Sequence, residues 1–319
     1  MNKNVTLWLI AAVSLILTGC LIFGGVMIML KWDFTKLSTD KYETNRYEIS
    51  EVFSAISVDT DTAHVRFVPS EDGKCSVSCY EQKNRKHSVS VEDGALVITR
   101  GDTRKWYDYI GITFETPTVT VSLPREEYGA LSVKVSTGTV DIARDFLFAD
   151  LDVSGTTSDV TSYASVHGSV KIKTTTGKIR LDGISAGTVD LSVSTGDITA
   201  SGLTCGDLSI RVSTGKTKLS DVSCKSLSSK GSTGDLLLTN VIAEGRFSIQ
   251  RSTGDVTFEG CDAAEISVKT DTGDVKGSLL SEKIFIIETD TGRKEVPATL
   301  SGGKCEITTD TGNVKITIG

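Results

Sequence analysis

The order of apolar and polar positions divides the chain into two unequal parts. Val5 to Leu30 carries no charged residue, and only Thr6, Ser14, Thr18 and Cys20 add side-chain polarity to it. At 1.5 Å per residue, a helix over this stretch is about 39 Å long, enough to cross a ~30 Å hydrocarbon core. From there onward no helical periodicity appears. Apolar residues alternate with polar ones, which is the period of a strand with one buried face.

The alternation is itself periodic. Ser-Thr-Gly, Thr-Thr-Gly or Asp-Thr-Gly triplets place glycines at Gly138, Gly177, Gly196, Gly215, Gly234, Gly254, Gly273, Gly292 and Gly312. A degenerate copy, Thr156-Thr157-Ser158, fills the one gap, so every step is 19 or 20 residues. Within a repeat the apolar slots recur. Ile179, Leu181, Ile184, Ala186, Val189, Leu191 and Val193 are followed one repeat later by Ile198, Ala200, Leu203, Cys205, Leu208, Ile210 and Val212. Turn pairs such as Asp182-Gly183 and Ser201-Gly202 separate the runs. Three short strands and three corners per repeat predict an all-β fold, a right-handed parallel β-solenoid whose coils stack about 4.8 Å apart. The glycines are its structural corners, and the threonine column beside them reads first as architecture.

Residues 51–135 hold an outlying coil and its cover. Val58-Asp59-Thr60-Asp61-Thr62-Ala63-His64-Val65 is a distant repeat with Ala63 in the glycine slot. Ser88 to Thr99 reads as a hairpin about Asp93-Gly94, the natural N-terminal β-hairpin cap of the first coil. At the far end, Val314 to Gly319 has no cap beyond a lone lysine, which predicts an open β edge. The expected organisation is a cytoplasmic stub and transmembrane helix over 1–31, a juxtamembrane linker over 32–50, coil and cap over 51–135, and the solenoid over 136–319.

Composition removes function classes more than it adds them. The net charge of −7, with no Lys/Arg cluster, lacks the footprint of nucleic-acid binding. Three histidines, His64, His87 and His167, lie far apart without a nucleophile motif. Leu17-Thr18-Gly19-Cys20 resembles a lipobox with Cys20 as lipidation site, but Leu21 to Leu30 stays apolar, which favours a retained helix. Lys31, Lys36, Lys41 and Arg46 follow the helix against Lys3 before it; by that count the rod faces the cytoplasm, although long domains translocate largely regardless of charge.

The candidate chemistry is sparse. Asp271, Asp290 and Asp310 open Asp-Thr-Gly triplets, the form used by aspartic proteases. Those enzymes need two aspartates facing across a pseudo-two-fold axis, whereas stacked repeats place equivalents in a column. The same column, with Asp274, is the one metal candidate, for calcium. Residues after the corner glycine alternate in sign over much of the chain (Lys178, Asp197, Lys216, Asp235), which reads as a cross-coil charge ladder. Cys205 and Cys224 occupy one inward slot in successive coils and read as small buried residues, with a bridge between them left open. Trp106, Tyr107, Tyr109 and Phe114 form the richest interaction-like segment, a possible partner contact or cap packing. No catalytic residue and no cofactor is expected.

The repeated Ser-Thr-Gly-Asp-Val pattern behind an N-terminal membrane helix resembles the bacterial "putative adhesin", or toast-rack, family. Trp32-Asp33-Phe34-Thr35-Lys36-Leu37 and the aromatic run at 106–111 fit that resemblance. It implies an envelope location with the large domain outside the membrane, and an adhesive role or a part in membrane-stress responses. It brings no catalytic residues. Arg293-Lys294-Glu295 and Pro297 depart from the pattern.

Overall fold

The structure is a computed structural model that describes residues 3–37, 41–101 and 115–319. The helix α1 (Lys3–Met29) occupies the apolar stretch, and 26 of its residues, Asn4–Met29, are long and apolar enough to cross a membrane. It ends where Lys31 and Trp32 turn to positive φ, and the Trp32 amide donates back to the Met27 carbonyl at 2.8 Å.

The stretch expected as a linker ends at residue 41, because β1 (Tyr42–Ile49) is a strand. It pairs antiparallel with β3 (Cys75–Gln82) as the edge of the cap. The first coil is β2 (Ala55–Pro69), which bends at Ala63 and stacks on β7 (Glu127–Ile142), with Ala63 opposite Gly138. Its other side is covered twice. β5 (Ala95–Arg100) pairs with residues 55–59 and carries β4 (His87–Glu92) through the Asp93-Gly94 hairpin, both turn residues at positive φ. β6 (Thr118–Leu123) pairs with residues 64–69 and carries β3 and then β1. The cap is therefore two antiparallel flaps over one coil, larger than the single hairpin that the sequence suggests.

Beyond it the coils stack in parallel register. β8 (Leu147–Ser162) follows β7, and a coil of short strands follows it: β9 (Ser165–Val166), β10 (Ser169–Thr176) and β11 (Ile179–Asp182). β12 (Ser185–Ala186) and β13 (Thr188–Thr195) lead into β14 (Ile198–Thr214), β15 (Thr217–Thr233), β16 (Leu236–Thr253) and β17 (Val256–Thr272). Inward slots of all coils merge into one apolar core, from Ile56 to Ile316. The corners explain the glycines. Gly196 has φ +139°, and a Cβ there would stand 1.8 Å from the Gly177 carbonyl oxygen of the coil beneath. Its amide meanwhile donates to Thr214 in the next coil at 2.8 Å. Only glycine reaches that backbone conformation and permits that approach.

The far end differs from simple stacking. After β17 come β18 (Val275–Leu279), β19 (Lys283–Thr291), β20 (Lys294–Glu295), β21 (Gly303–Thr311) and β22 (Val314–Ile318). β17 pairs with β21, not β19, and β19 pairs with the other side of β21. β18 likewise pairs with β22, which is covered in turn by β20. The chain runs out to the rod's end and returns through Pro297 to insert its last coil one layer in. The edge expected to be open at residues 314–319 is thus covered at Val314 and Lys315, while residues 316–318 pair with β18 alone among the described residues, and the outer coil is 283–295. Hydrophobicity gives the reason. The inner coil buries Cys305, Ile307, Val314 and Ile316, whereas the outer one presents Arg293, Lys294 and Glu295, which suit a face with no coil above. Lys283, 3% exposed, fastens the outer coil by an ion pair to Asp262 at 2.7 Å and a hydrogen bond to Ser281.

Candidate functional site

The carboxylates that follow the corner glycines serve the backbone. Asp159 Oδ1 accepts the Lys178 amide at 2.8 Å, and Asp197 Oδ1 accepts that of Lys216 at 2.8 Å. Asp235 and Asp255 continue the series to the amides of Asp255 and Asp274. Asp274 Oδ1 then accepts both nitrogens of Asn313, at 2.7 and 3.2 Å, and Asn313 Oδ1 accepts the Arg293 amide at 3.1 Å. Each side chain bonds the equivalent amide one coil on, so the column is chiefly a hydrogen-bond ladder at the corner. Charge pairing adds to it at Lys216–Asp235, 3.2 Å.

The calcium candidates are arranged accordingly. Strand register puts Asp310 between Asp271 and Asp290 in an exposed column, while Asp274 belongs to the ladder. Among the described residues, the one group of three potential metal-donor atoms within 4.8 Å of one another lies elsewhere, and these four aspartates do not converge. Trp106, Tyr107, Tyr109 and Phe114 fall outside the described residues.

That group is Cys79, Glu81 and His87, all buried in the cap. Alternation along β3 places Cys79 and Glu81 on one inward face. His87 enters at the first residue of β4, where the two flaps meet. Glu81 is fully buried and both oxygens are taken. Oε1 accepts Asn45 Nδ2 at 2.7 Å; Oε2 accepts the His87 amide at 2.6 Å and faces His87 Nδ1 at 2.7 Å. His87 Nε2 reaches Thr60 Oγ1 at 3.0 Å, and the Tyr47 hydroxyl donates to the His87 carbonyl at 3.2 Å. One cluster therefore joins β1, β2, β3 and β4.

The donor types suit a borderline transition metal. Here, however, Glu81 and His87 spend their ring and carboxylate atoms on each other and on the strands around them. Burial, then the Glu81 charge, pushes the Cys79 thiol up to about 12. The cluster acts as a clasp that holds the flaps onto the first coil. Sequence spacing gave no hint of it, since the partners come from four strands and His87 stands outside any motif.

The cysteines are all free thiols. Cys205 and Cys224 are register partners, as their shared slot predicts, and burial raises them to about 11 and about 12.

No functionally curated protein matches the chain. Among solved structures, a "putative adhesin" from Bacteroides fragilis NCTC 9343 is 17% identical, covering 87% of this chain and 97% of that one, with a TM-score of 0.43. A "putative lipid binding protein" from Parabacteroides distasonis ATCC 8503 is 14% identical over 88% of this chain and 98% of that one, TM-score 0.48. A "putative adhesin" from Parabacteroides merdae ATCC 43184 is 13% identical over 88% and 97%, TM-score 0.46. The Toastrack DUF4097 family profile matches residues 53–221 and again 205–319, which together take in the first coil, the cap apart from β1, and every later coil. The chain belongs to the Toastrack DUF4097 family.

Proposed function

We propose that the chain is a non-enzymatic envelope protein, anchored by α1 with its rod outside the membrane, and that the rod acts as an adhesin-like or interaction scaffold. The observation that carries this reading is the continuous parallel stack of coils behind an apolar helix, whose corner threonines stay in register from coil to coil. Thr176, Thr195, Thr214, Thr233, Thr253 and Thr272 are successive partners in one exposed column. A rigid column of hydroxyls at fixed spacing suits contact with an extended polar partner and offers no converged catalytic constellation. The membrane partner is the lipid around residues 5–30.

The test is protease treatment of intact cells with a cytoplasmic marker as control. Removal of the rod supports the reading. Survival of the rod until lysis would place it in the cytoplasm, as the flanking lysines suggest, and end the adhesin-like reading. Pull-down of membrane proteins that disappears when residues 5–30 are replaced by an unrelated span would instead make the chain an accessory of a membrane-stress system.

End-to-end self-assembly is a second reading, favoured by one specific feature. Among the described residues β19 pairs on one side only, and Ile284 and Ile286 are exposed on it. Sedimentation of the detergent-solubilised chain as a monomer at high concentration argues against it. Association abolished by Ile286→Lys argues for it.

A further inference from the structure

One inward slot of the rod carries two thiols in succession. Ala186, Cys205, Cys224, Ala243 and Ala263 are partners from coil to coil, so a column sized for a methyl group holds sulfur in two adjacent coils. Cys224 is buried and Cys205 half-buried. The other cysteines of the β part face different residues across their strands. Cys75 lies opposite Ile49, Cys79 opposite Asn45 and Val119, Cys261 opposite Leu279, and Cys305 between Ile266 and Phe285.

Stacking sets the distance between the two. Paired strands stand about 4.8 Å apart, inside the roughly 4.4–6.8 Å between Cα atoms that a disulfide spans. Parallel neighbours keep their Cβ atoms near the same spacing, a few tenths of an ångström beyond the roughly 3.5–4.5 Å that a bridge takes. The backbone is least constrained where it would have to close that gap. β14 and β15 pair through Cys205 and Cys224, skip Gly206 and Lys225, and resume at Asp207 and Ser226. On its other side β15 loses register with β16 directly after Cys224. The two sulfurs also feel each other. Burial, then Cys205 and Asp207, push the Cys224 thiol up to about 12; burial, then Asp207, raises Cys205 to about 11. Cys205, the more accessible of the two and the more readily ionised, is the thiol that an oxidant meets first.

We propose that Cys205 and Cys224 are a redox site, oxidised by a low-molecular-weight disulfide to one intramolecular bridge that staples two consecutive coils in the middle of the rod. The Cys205 thiolate attacks one sulfur of the small disulfide, forms a mixed disulfide and releases the other half as a thiolate. The Cys224 thiolate then attacks Cys205 Sγ and expels the second half. Two protein thiols lose two electrons, the small disulfide gains them, and the two protons pass to the two small thiols released. Oxidants of this class act where the surroundings are not reducing, as on the outer side of a membrane, but the reaction itself does not depend on which side the rod faces.

The test uses the full chain in detergent, reduced with dithiothreitol, freed of it, and incubated with oxidised glutathione at pH 8.5. Remaining thiols are trapped with N-ethylmaleimide under denaturing conditions, and tryptic peptides are mapped without reduction. Residues 181–211 should be linked to residues 219–225, with two hydrogens lost. Cys75, Cys79, Cys261 and Cys305, all buried, should carry the alkyl label. The thermal midpoint should rise by about 5 °C, as closing a loop of one coil predicts, and return on reduction. Cys205→Ala and Cys224→Ala should fold, because alanine fills that slot in the coils on either side, and each should abolish the linked peptide and the rise. The proposal is overturned if the linked peptide does not form, or forms only in chain unfolded by urea. It is also overturned if oxidation stops at a glutathione adduct on Cys205, or if the linked protein melts no higher than the reduced one.

Discussion

Glu81 in the cap and Arg251 in the rod are both charged side chains removed from water, yet their surroundings are opposite. Glu81 receives three donors, from Asn45 and from the amide and ring of His87. Arg251, 4% exposed, makes one side-chain hydrogen bond among the described residues, to Ser229. The cap is irregular, so it draws polar partners from four strands and closes a complete network around its buried charge. The rod is a lattice of repeating slots, and a charge placed in one slot meets only the equivalents above and below it. A closed network offsets the cost of burying its charge, whereas an open one leaves the charge to the few neighbours its slot provides.

That contrast gives opposite signs for removing the two charges. Glu81→Ala strands His87 and Asn45 in the interior and should cost about 3–5 kcal/mol, the usual loss on breaking a buried charged pair. Denaturant unfolding measures it, and hydrogen exchange should show β1, β3 and β4 opening before the coils. A cost below about 1 kcal/mol would mean that the clasp does not hold the flaps. The comparison would then fail on the cap side.

Arg251→Met should leave stability unchanged or raise it by about 1–4 kcal/mol, as replacement of buried charge by an apolar side chain of similar volume does elsewhere. The guanidinium lies in the space that Gly231 leaves, where a Cβ would stand 1.7 Å from Nη1, and methionine is long enough to fill it and needs no partner. Marked destabilisation would show that the guanidinium is held by more than Ser229, and the rod's charge would join the cap's as structural.

How far these features were legible depends on whether their cause is local. The corners were, because close approach to a neighbouring carbonyl at positive φ makes glycine recur at that slot in nearly every coil, with Ala63 and Ser158 as the departures. The hairpin was, because Asp93-Gly94 supplies both positive φ values. β1 was missed, since Tyr42–Ile49 is a half-buried edge with weak alternation. The returning last coil was missed because the repeat alone does not order the layers. Its signal was nonetheless present: Arg293-Lys294-Glu295 cannot fill inward slots, so that coil belongs outside. The clasp had no local signal at all. Gly231 and Arg251 had one, visible when the repeats are aligned by their glycines: the slot holds valine or threonine in most coils, and among its exceptions, Gly155, Gly231 and Arg251, only Arg251 is charged.

A third buried charge, Lys283 at the rod's end, sharpens the contrast because it has a partner. For that partner, Asp262, burial raises the carboxyl pKa, but the hydrogen bonds and charge of Lys283 and Ser281 outweigh burial and hold it below the ordinary 3.8. A depressed folded-state value means that the pair stabilises the fold above the unfolded value and loses this as pH falls through the folded one. The outer coil should therefore loosen on acidification below about pH 4. Amide exchange in β19 compared at pH 6 and pH 3.5 tests this, after correction for intrinsic rates. Equal protection would mean that apolar contacts of Phe285 and Ile287 hold the coil without the ion pair.

The smallest expected effect is chemical and returns to the cap. Burial first, and the Glu81 charge second, raise the Cys79 thiol to about 12, so almost none is thiolate at pH 8. Cys79 should resist iodoacetamide in the native protein and react on unfolding, as read by mass spectrometry of the alkylated peptides. Glu81→Gln keeps the shape, removes the charge and weakens the clasp, so both changes favour reaction at Cys79. The rod's buried thiols, Cys224 and Cys305, serve as internal controls and should be unaffected. Acceleration confined to Cys79 would show that the flaps open as a unit separate from the coils. Acceleration at all three would show that cap and rod open together, with the clasp setting the stability of the whole stack.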